Sequence, residues 1–193
     1  MLSTHVRHST RLSPIDLNEE SFAPYGHMLG RGLPQNPEVP SFTHPATDFW
    51  HEHDFETGPG GAPEILWVDY RNDRPLISSL EAHWLTQQAV VPLRGGPLLQ
   101  AVACSLPDQR APDLSTLKIF LIRPGQGVCM RAGCWHTSLV IQGTVTCLML
   151  TRRSTTRDLV SHLNTGTPPL ESSLWSLTEP VSFQRPAGAT EAP

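Results

Sequence analysis

The feature that most constrains the fold of this chain is a run of short β-type segments between residues 64 and 151. The segments are rich in β-branched and aromatic residues, and glycine-containing turns separate several of them, at 94–96, 124–127 and 142–143. They read EILWVDY, PLISSLEAHW, QQAVVPL, LLQAVACSL, LKIFLIR, GVCM, TSLVIQ and TVTCLMLT. Many short strands joined by such turns are typical of antiparallel barrels and jelly rolls. We therefore predict an all-β fold, an antiparallel β-barrel (jelly roll) with a few short helices.

The flanking segments differ in composition and predict one barrel domain with two appendages. Residues 1–11 show no regular pattern and are expected to form a flexible N-terminal arm, whereas the barrel domain is predicted over 12–165. A capping box at 155–158 predicts a helix over about 156–163. Residues 166–193 contain five prolines and little periodicity, so we expect an extended, proline-rich C-terminal tail.

The overall charge and hydropathy exclude some classes of partner. A net charge of −4 and an isoelectric point near 6.1 give no electrostatic reason to expect nucleic acid or an anionic membrane surface. The first twelve residues lack the apolar stretch of a secretory signal, and no apolar run approaches the length of a membrane span. We therefore expect a cytoplasmic protein with no nucleic-acid or membrane partner, whose four cysteines are free thiols.

Ionisable side chains occupy alternating positions in the middle of the strand run. Glu81 and His83 are two residues apart in SSLEAHW, so both face the same side of their strand. Gln88 begins the next strand, and His136 follows a glycine-containing turn in the second half of the run. A barrel of this size can hold one small ligand or a metal. Two alternatives to a site role stay open. His83 and His136 can be ordinary core histidines, and Glu81 can form a structural salt bridge with an arginine.

The spacing of these residues resembles the two motifs of the cupin superfamily. The first motif corresponds to E-x-H-x4-Q-x6-G, which covers residues 81–95, and the second ends at His136. The resemblance implies a cupin-like barrel in which Glu81, His83, Gln88 and His136 occupy the metal positions. Such a set of two imidazoles, a carboxylate and an amide suits Zn, Ni, Mn or Fe. The resemblance leaves open whether a divalent metal is bound or none.

Further landmarks resemble the ureidoglycolate lyase family over roughly residues 14–163. They are SFAPYG at 21–26, DRPLIS at 73–78, PDLSTL at 112–117, GQGV at 125–128 and WH at 135–136. The resemblance implies a carbon–nitrogen lyase of purine (allantoin) catabolism, which splits ureidoglycolate into glyoxylate and urea as a homodimer. The chain departs from the family at 130–131, where Met-Arg replaces Tyr-His, and at 137–138, where Thr-Ser replaces His-Pro.

The lyase reaction assigns catalytic roles to three of these residues. A base must take the proton of the carbinol hydroxyl, and an acid must protonate the leaving urea nitrogen. His83 or His136 is predicted to transfer the proton, because imidazole titrates near neutrality, and Glu81 is predicted to orient the imidazole.

The remaining site predictions concern substrate binding. Arg131 is predicted to grip the substrate carboxylate if it points into the barrel, and Gln88 is a further candidate contact. Trp135 is assigned either to substrate binding or to packing in the barrel wall. His53, in the irregular stretch WHEHDFETG at 50–58, is predicted to reach over the barrel mouth.

Two other functions remain open at the level of the sequence. The first is another metal-dependent cupin enzyme, an isomerase or a dioxygenase, that acts on a small carboxylate. The second is a non-catalytic cupin that binds a small ligand.

Overall fold

Thirteen strands and two helices make up the part of the chain that the structure describes, residues 11–108 and 111–186 of a computed structural model. In chain order the elements are β1 (Ile15–Asp16), α1 (Glu19–Phe22), β2 (Gly26–Leu29), β3 (Ser41–His44), β4 (Thr47–Trp50), β5 (Pro63–Tyr70), β6 (Leu76–His83), β7 (Gln88–Arg94), β8 (Leu98–Ser105), β9 (Pro112–Ile122), β10 (Gly127–Met130), β11 (Trp135–Val140), β12 (Val145–Arg152), α2 (Arg153–Thr165) and β13 (Ser172–Ser182). Neither of these helices is long and apolar enough to span a membrane.

The strands form two main sheets that enclose a common core. One sheet has the order β1-β9-β8-β11-β6-β13 and the other has the order β2-β10-β7-β12-β5. Strand pairs are antiparallel except for β1 with β9. Side chains of both sheets pack together between them, including Val102 of β8 and Val90 of β7. The predicted all-β, antiparallel fold with a few short helices is confirmed.

A second hydrophobic cluster covers the outer face of the six-stranded sheet. Along β8, Leu98 and Val102 face the core between the sheets, whereas Leu99, Ala101 and Ala103 belong to the outer cluster. This arrangement follows from strand alternation, and it explains why the segment LLQAVACSL is apolar at nearly every position rather than at every second one.

The segment expected to be an extended tail contains β13, which pairs antiparallel with β6 along most of its length. Pro180 lies within an irregularity of this pairing, between Ser176 and Val181. Because β13 is an edge strand, it tolerates a residue that cannot donate a ladder hydrogen bond. The predicted arm falls almost entirely outside the described residues, and the domain boundaries stay a prediction.

Helix α2 confirms the helix predicted in this region but not its capping box. Its N-cap is Arg152, which makes no side-chain capping bond. The hydroxyl of Thr155 instead donates to Glu171 Oε2 at 2.6 Å, and the carboxylate of Asp158 accepts the backbone N–H groups of Leu170 and Glu171 at 2.8 Å. These bonds tie the helix to the segment that leads into β13.

Candidate active site

Glu81, His83 and His136 converge inside the barrel. His136 on β11 is the register partner of Glu81 on β6, and alternation places His83 on the same face as Glu81. Glu81 Oε1 lies 3.5 Å from His136 Nε2 and 4.0 Å from His83 Nε2. In the described part of the chain, this is the one group of three His, Cys, Asp or Glu residues whose donor atoms all lie within 4.8 Å of one another.

The ring of His136 is oriented by a backbone carbonyl. Its Nδ1 lies 3.0 Å from the carbonyl oxygen of Cys134, and because a carbonyl only accepts, Nδ1 carries the proton. In the neutral ring, Nε2 then carries a lone pair. This nitrogen is buried without a hydrogen-bond partner and faces Glu81. A buried, unpartnered nitrogen of this kind is available to a ligand atom or an ion.

The ring of His83 is held by two side chains from other strands. Its Nδ1 lies 2.9 Å from Ser172 Oγ, and its Nε2 lies 3.1 Å from the Gln88 amide nitrogen. Since an amide NH₂ donates, His83 Nε2 accepts, and Nδ1 then donates to the serine hydroxyl. Gln88 is therefore brought to the cluster as predicted, whereas the part played by Ser172 of β13 was missed.

Burial and mutual charge shift the pKa values of His83 and Glu81. The pKa of His83 is lowered to about 4, chiefly by burial and secondly by the neighbouring His136, while Glu81 opposes the shift. Burial pushes the pKa of Glu81 upward, but the adjacent imidazoles of His136 and His83 leave it below its usual value. The site thus combines an ionised carboxylate, 35% exposed, with a neutral His83.

A partly buried polar chain that includes Tyr70, Ser138 and Gln100 was not predicted from the sequence. Burial raises the pKa of Tyr70, at the end of β5, while a hydrogen bond with Ser138 opposes the rise and the Glu81 carboxylate adds a smaller contribution to it. The Ser138 hydroxyl donates to Gln100 Oε1 at 2.8 Å. A signal was present in EILWVDY, because Leu66, Val68 and Tyr70 alternate on the inner face of β5.

Two predicted substrate contacts lie elsewhere. Arg131 is exposed, its guanidinium donates to the carbonyl of Ala23, and it lines a separate cleft of about 280 Å³ beside Tyr25. Trp135 is completely buried on the opposite face of β11 from His136, in the outer hydrophobic cluster. The structure does not bring either side chain into the three-residue cluster, and their substrate-binding roles stay predictions.

His53 belongs to a second histidine cluster. Its ring stacks on His27 with centroids 4.2 Å apart, and its Nε2 lies 3.1 Å from Gln87 Oε1. Its neighbour His51 pairs with Asp54 at 3.2 Å on the surface. The structure therefore does not place His53 with Glu81, although Gln87 adjoins the inward-facing Gln88.

The cysteines are poor candidates for a nucleophile. All four are free, and three of them are buried. Burial raises the pKa of Cys129 and of Cys147 to about 12, so both remain thiols near neutrality.

Comparison with known proteins assigns the family. The protein-family model described as ureidoglycolate lyase matches residues 9–167 of this chain. The chain belongs to the ureidoglycolate lyase family. A ureidoglycolate lyase of Azotobacter vinelandii is 45% identical over 60 residues, which cover 31% of this chain and 34% of that protein. One of Salmonella typhimurium is 41% identical over 71 residues, which cover 37% of this chain and 42% of that protein. The chain thus aligns with about a third to two fifths of the length of these relatives.

Among solved structures, RmlC from Streptococcus suis in complex with dTDP-D-xylose gives a TM-score of 0.38 at 12% identity. The similarity covers 58% of this chain and 60% of that one.

The donor set of this ureidoglycolate lyase family member fits a divalent metal. His83 and His136 both present Nε2 toward Glu81, while their Nδ1 atoms bond to Ser172 Oγ and to the carbonyl of Cys134. Metal-ligating histidines generally donate the second ring N–H in this way, which fixes the ring and its tautomer. Two imidazoles and one carboxylate with a position left open are a common donor set for catalytic zinc.

Proposed function

We propose that this protein is a carbon–nitrogen lyase that splits ureidoglycolate into glyoxylate and urea, in purine (allantoin) catabolism. The convergence of Glu81, His83 and His136 in the barrel carries the proposal, because it supplies a partly exposed carboxylate next to two imidazoles. Family membership supports the substrate, since relatives that match part of this chain bear the name ureidoglycolate lyase.

The reaction needs one proton to move from oxygen to nitrogen. As the O–H bond of the carbinol breaks, its electrons form the C=O bond of glyoxylate, and the C–N electron pair leaves with the urea nitrogen, which takes up a proton. We assign the transfer to His136, because its Nε2 is unpartnered, whereas His83 Nε2 accepts from Gln88. The Glu81 carboxylate, 3.5 Å away, then stabilises the imidazolium that forms.

The same residues are proposed to hold a divalent metal (Zn, Ni, Mn or Fe) when one is bound. Glu81, His83 and His136 would be its ligands, with Gln88 beside them. The ion would polarise the substrate hydroxyl and so lower the demand for a strong base.

We also propose a cytoplasmic homodimer. The four free cysteines suit a reducing compartment. Ile65 and Trp67, which are 67% and 64% exposed, lie on the outer face of the five-stranded sheet and suit a subunit interface.

The function is tested by incubating the purified chain with racemic ureidoglycolate, first after chelation and then with each of the four metals added. Urea and glyoxylate are measured together with bound metal. The proposal predicts equal amounts of the two products from one enantiomer. The proposal fails if urea is released neither after chelation nor with any of the four metals. Activity that persists after complete metal removal assigns the proton transfer to the side chains alone.

A further inference from the structure

A second carboxylate, Glu64, faces the interior of the barrel from the edge strand β5. Burial along β5 alternates, and the inward positions that follow Glu64 on the same face are Leu66, Val68 and Tyr70. Those three side chains pack against the core between the sheets. Strand alternation therefore directs Glu64 into the same interior rather than toward solvent.

The register of the five-stranded sheet places Glu64 in the same row as a residue of the candidate active site. Thr151 on β12 is the partner of Glu64, and it follows directly after Leu150, which pairs with Ala89 on β7. Continuing this antiparallel register by one residue sets Thr151 opposite Gln88, so Glu64 lies two strands away from Gln88, whose amide nitrogen lies 3.1 Å from His83. Farther along the inner face of β5, Tyr70 packs against the core between the sheets. This face of β5 is therefore a wall of the chamber that contains the histidines.

One oxygen of Glu64 has no partner within the described chain. Oε1 is buried and accepts no hydrogen bond. The cation nearest in register, Arg152, is the partner of Pro63, and it donates instead to the Thr57 carbonyl at 2.7 Å and to Ser154 at 2.7 Å. Glu64 is also outside the group whose donor atoms could share a metal ion. Leaving a buried acceptor unpaired costs about 1–3 kcal/mol, and more for a charged group, so a donor from outside the protein is expected here.

We propose that Glu64 determines specificity by accepting hydrogen bonds from the ureido N–H groups of the substrate. The inference rests on the proposed lyase function and adds the orientation of the substrate to it. An ionised carboxylate only accepts hydrogen bonds, and the ureido end of ureidoglycolate supplies N–H donors. The glycolate end carries a negative charge, which Glu64 repels. The ureido end therefore lies toward β5, and the carbinol carbon lies toward His136.

This role makes the site selective against analogues that lack an N–H group. When a site is built to pair with a substrate N–H, an analogue without it leaves the buried acceptor unpaired and binds poorly. Inhibition by the two reaction products probes the two halves of the site separately. Urea carries the N–H groups and reports on the ureido half, whereas glyoxylate carries the carboxylate and reports on the glycolate half.

The test compares product inhibition in wild type, Glu64→Gln and Asp69→Asn. Asp69 is the matched control, because it lies on the same strand, loses the same charge and has an exposed side chain. In Glu64→Gln we expect KM for ureidoglycolate to rise about tenfold and the inhibition constant of urea to rise similarly. The inhibition constant of glyoxylate and kcat should change less than threefold, and Asp69→Asn should match wild type.

Each other outcome contradicts the proposal in a recognisable way. If Glu64→Gln keeps the wild-type KM and urea inhibition, Glu64 is a solvated carboxylate only. If inhibition by both products weakens equally, its role is structural, and circular dichroism and thermal melting of the variant check the fold. Absence of urea release by wild type overturns the lyase function itself, which the first two outcomes leave intact.

Discussion

Two regions of this chain offer candidate site histidines in sequence, and they differ sharply in the fold. His83 and His136 lie on regular strands, are 4% exposed or less in their side chains, and direct Nε2 toward the same carboxylate. In the stretch WHEHDFETG the side chains diverge, since His51 pairs with the surface residue Asp54 while His53 stacks on His27. The comparison teaches that strand alternation and register, rather than the density of His and Glu, make donor atoms converge.

The largest effect on catalysis is expected from neutralising Glu81, the carboxylate that His83 and His136 face. Glu81→Gln should lower kcat by about a hundredfold or more, because the imidazolium formed at His136 loses its counter-charge. Asp54→Asn, which neutralises the partner of His51, should leave kcat unchanged. Initial rates of urea release measure both variants. Equal rates for the two variants would remove the distinction between the regions.

A smaller effect on catalysis is expected from loosening the ring of His83. Ser172→Ala removes the oxygen 2.9 Å from Nδ1 and should lower kcat by about fivefold, as expected for one hydrogen bond worth about 1 kcal/mol. Ser173→Ala is the matched control, because Ser173 bonds to Trp84 on the other face of β13. A Ser173→Ala variant as slow as Ser172→Ala would indicate general damage to the strand.

Acidification should destabilise the metal-free protein through His83. Its folded pKa of about 4 lies below the ordinary value of 6.5, so the unfolded chain binds the proton more readily between these values. Stability contributed by His83 is therefore full above pH 6.5 and falls as the pH drops toward 4. At pH 5 the loss is about 2 kcal/mol. Urea denaturation at pH 7 and pH 5 measures it, and His83→Gln should reduce the difference; an unchanged difference refutes the assignment.

The smallest effect on catalysis is expected from a change in the stretch WHEHDFETG. His53→Ala should change kcat/KM by less than twofold, because His53 contacts His27 and Gln87 rather than the cluster. The lost stacking and hydrogen bond should instead lower the free energy of unfolding by about 1 kcal/mol. Steady-state kinetics and urea denaturation of the same preparation test this. A loss of activity at full stability would return His53 to the candidate active site.

Alternation along single strands predicted much of this arrangement. It placed Glu81 with His83 on one face, and the same rule puts Trp135 opposite His136, which was a usable signal against a role for Trp135 in substrate binding. Ser172 could not be found in this way, because it reaches His83 only through pairing between strands 89 residues apart in sequence. Pairing between distant strands depends on the closure of the whole sheet, which local patterns do not encode.

Turn chemistry was a weaker guide than strand alternation. The capping box at 155–158 has the right spacing, yet Thr155 and Asp158 bond to the segment before β13. Here tertiary hydrogen bonds replace local capping, because a side chain that is bonded to a distant segment is not available to cap its own helix. Arg131 likewise bonds to the carbonyl of Ala23, a contact with no signature in the sequence.

The central claim, that chemistry occurs at the barrel cluster, is tested most directly by His136→Ala and His53→Ala in one urea-release assay with ureidoglycolate. We expect kcat to fall by about a hundredfold or more in His136→Ala, with an unchanged circular dichroism spectrum, while His53→Ala retains the wild-type rate. Full activity in His136→Ala together with loss in His53→Ala would contradict it.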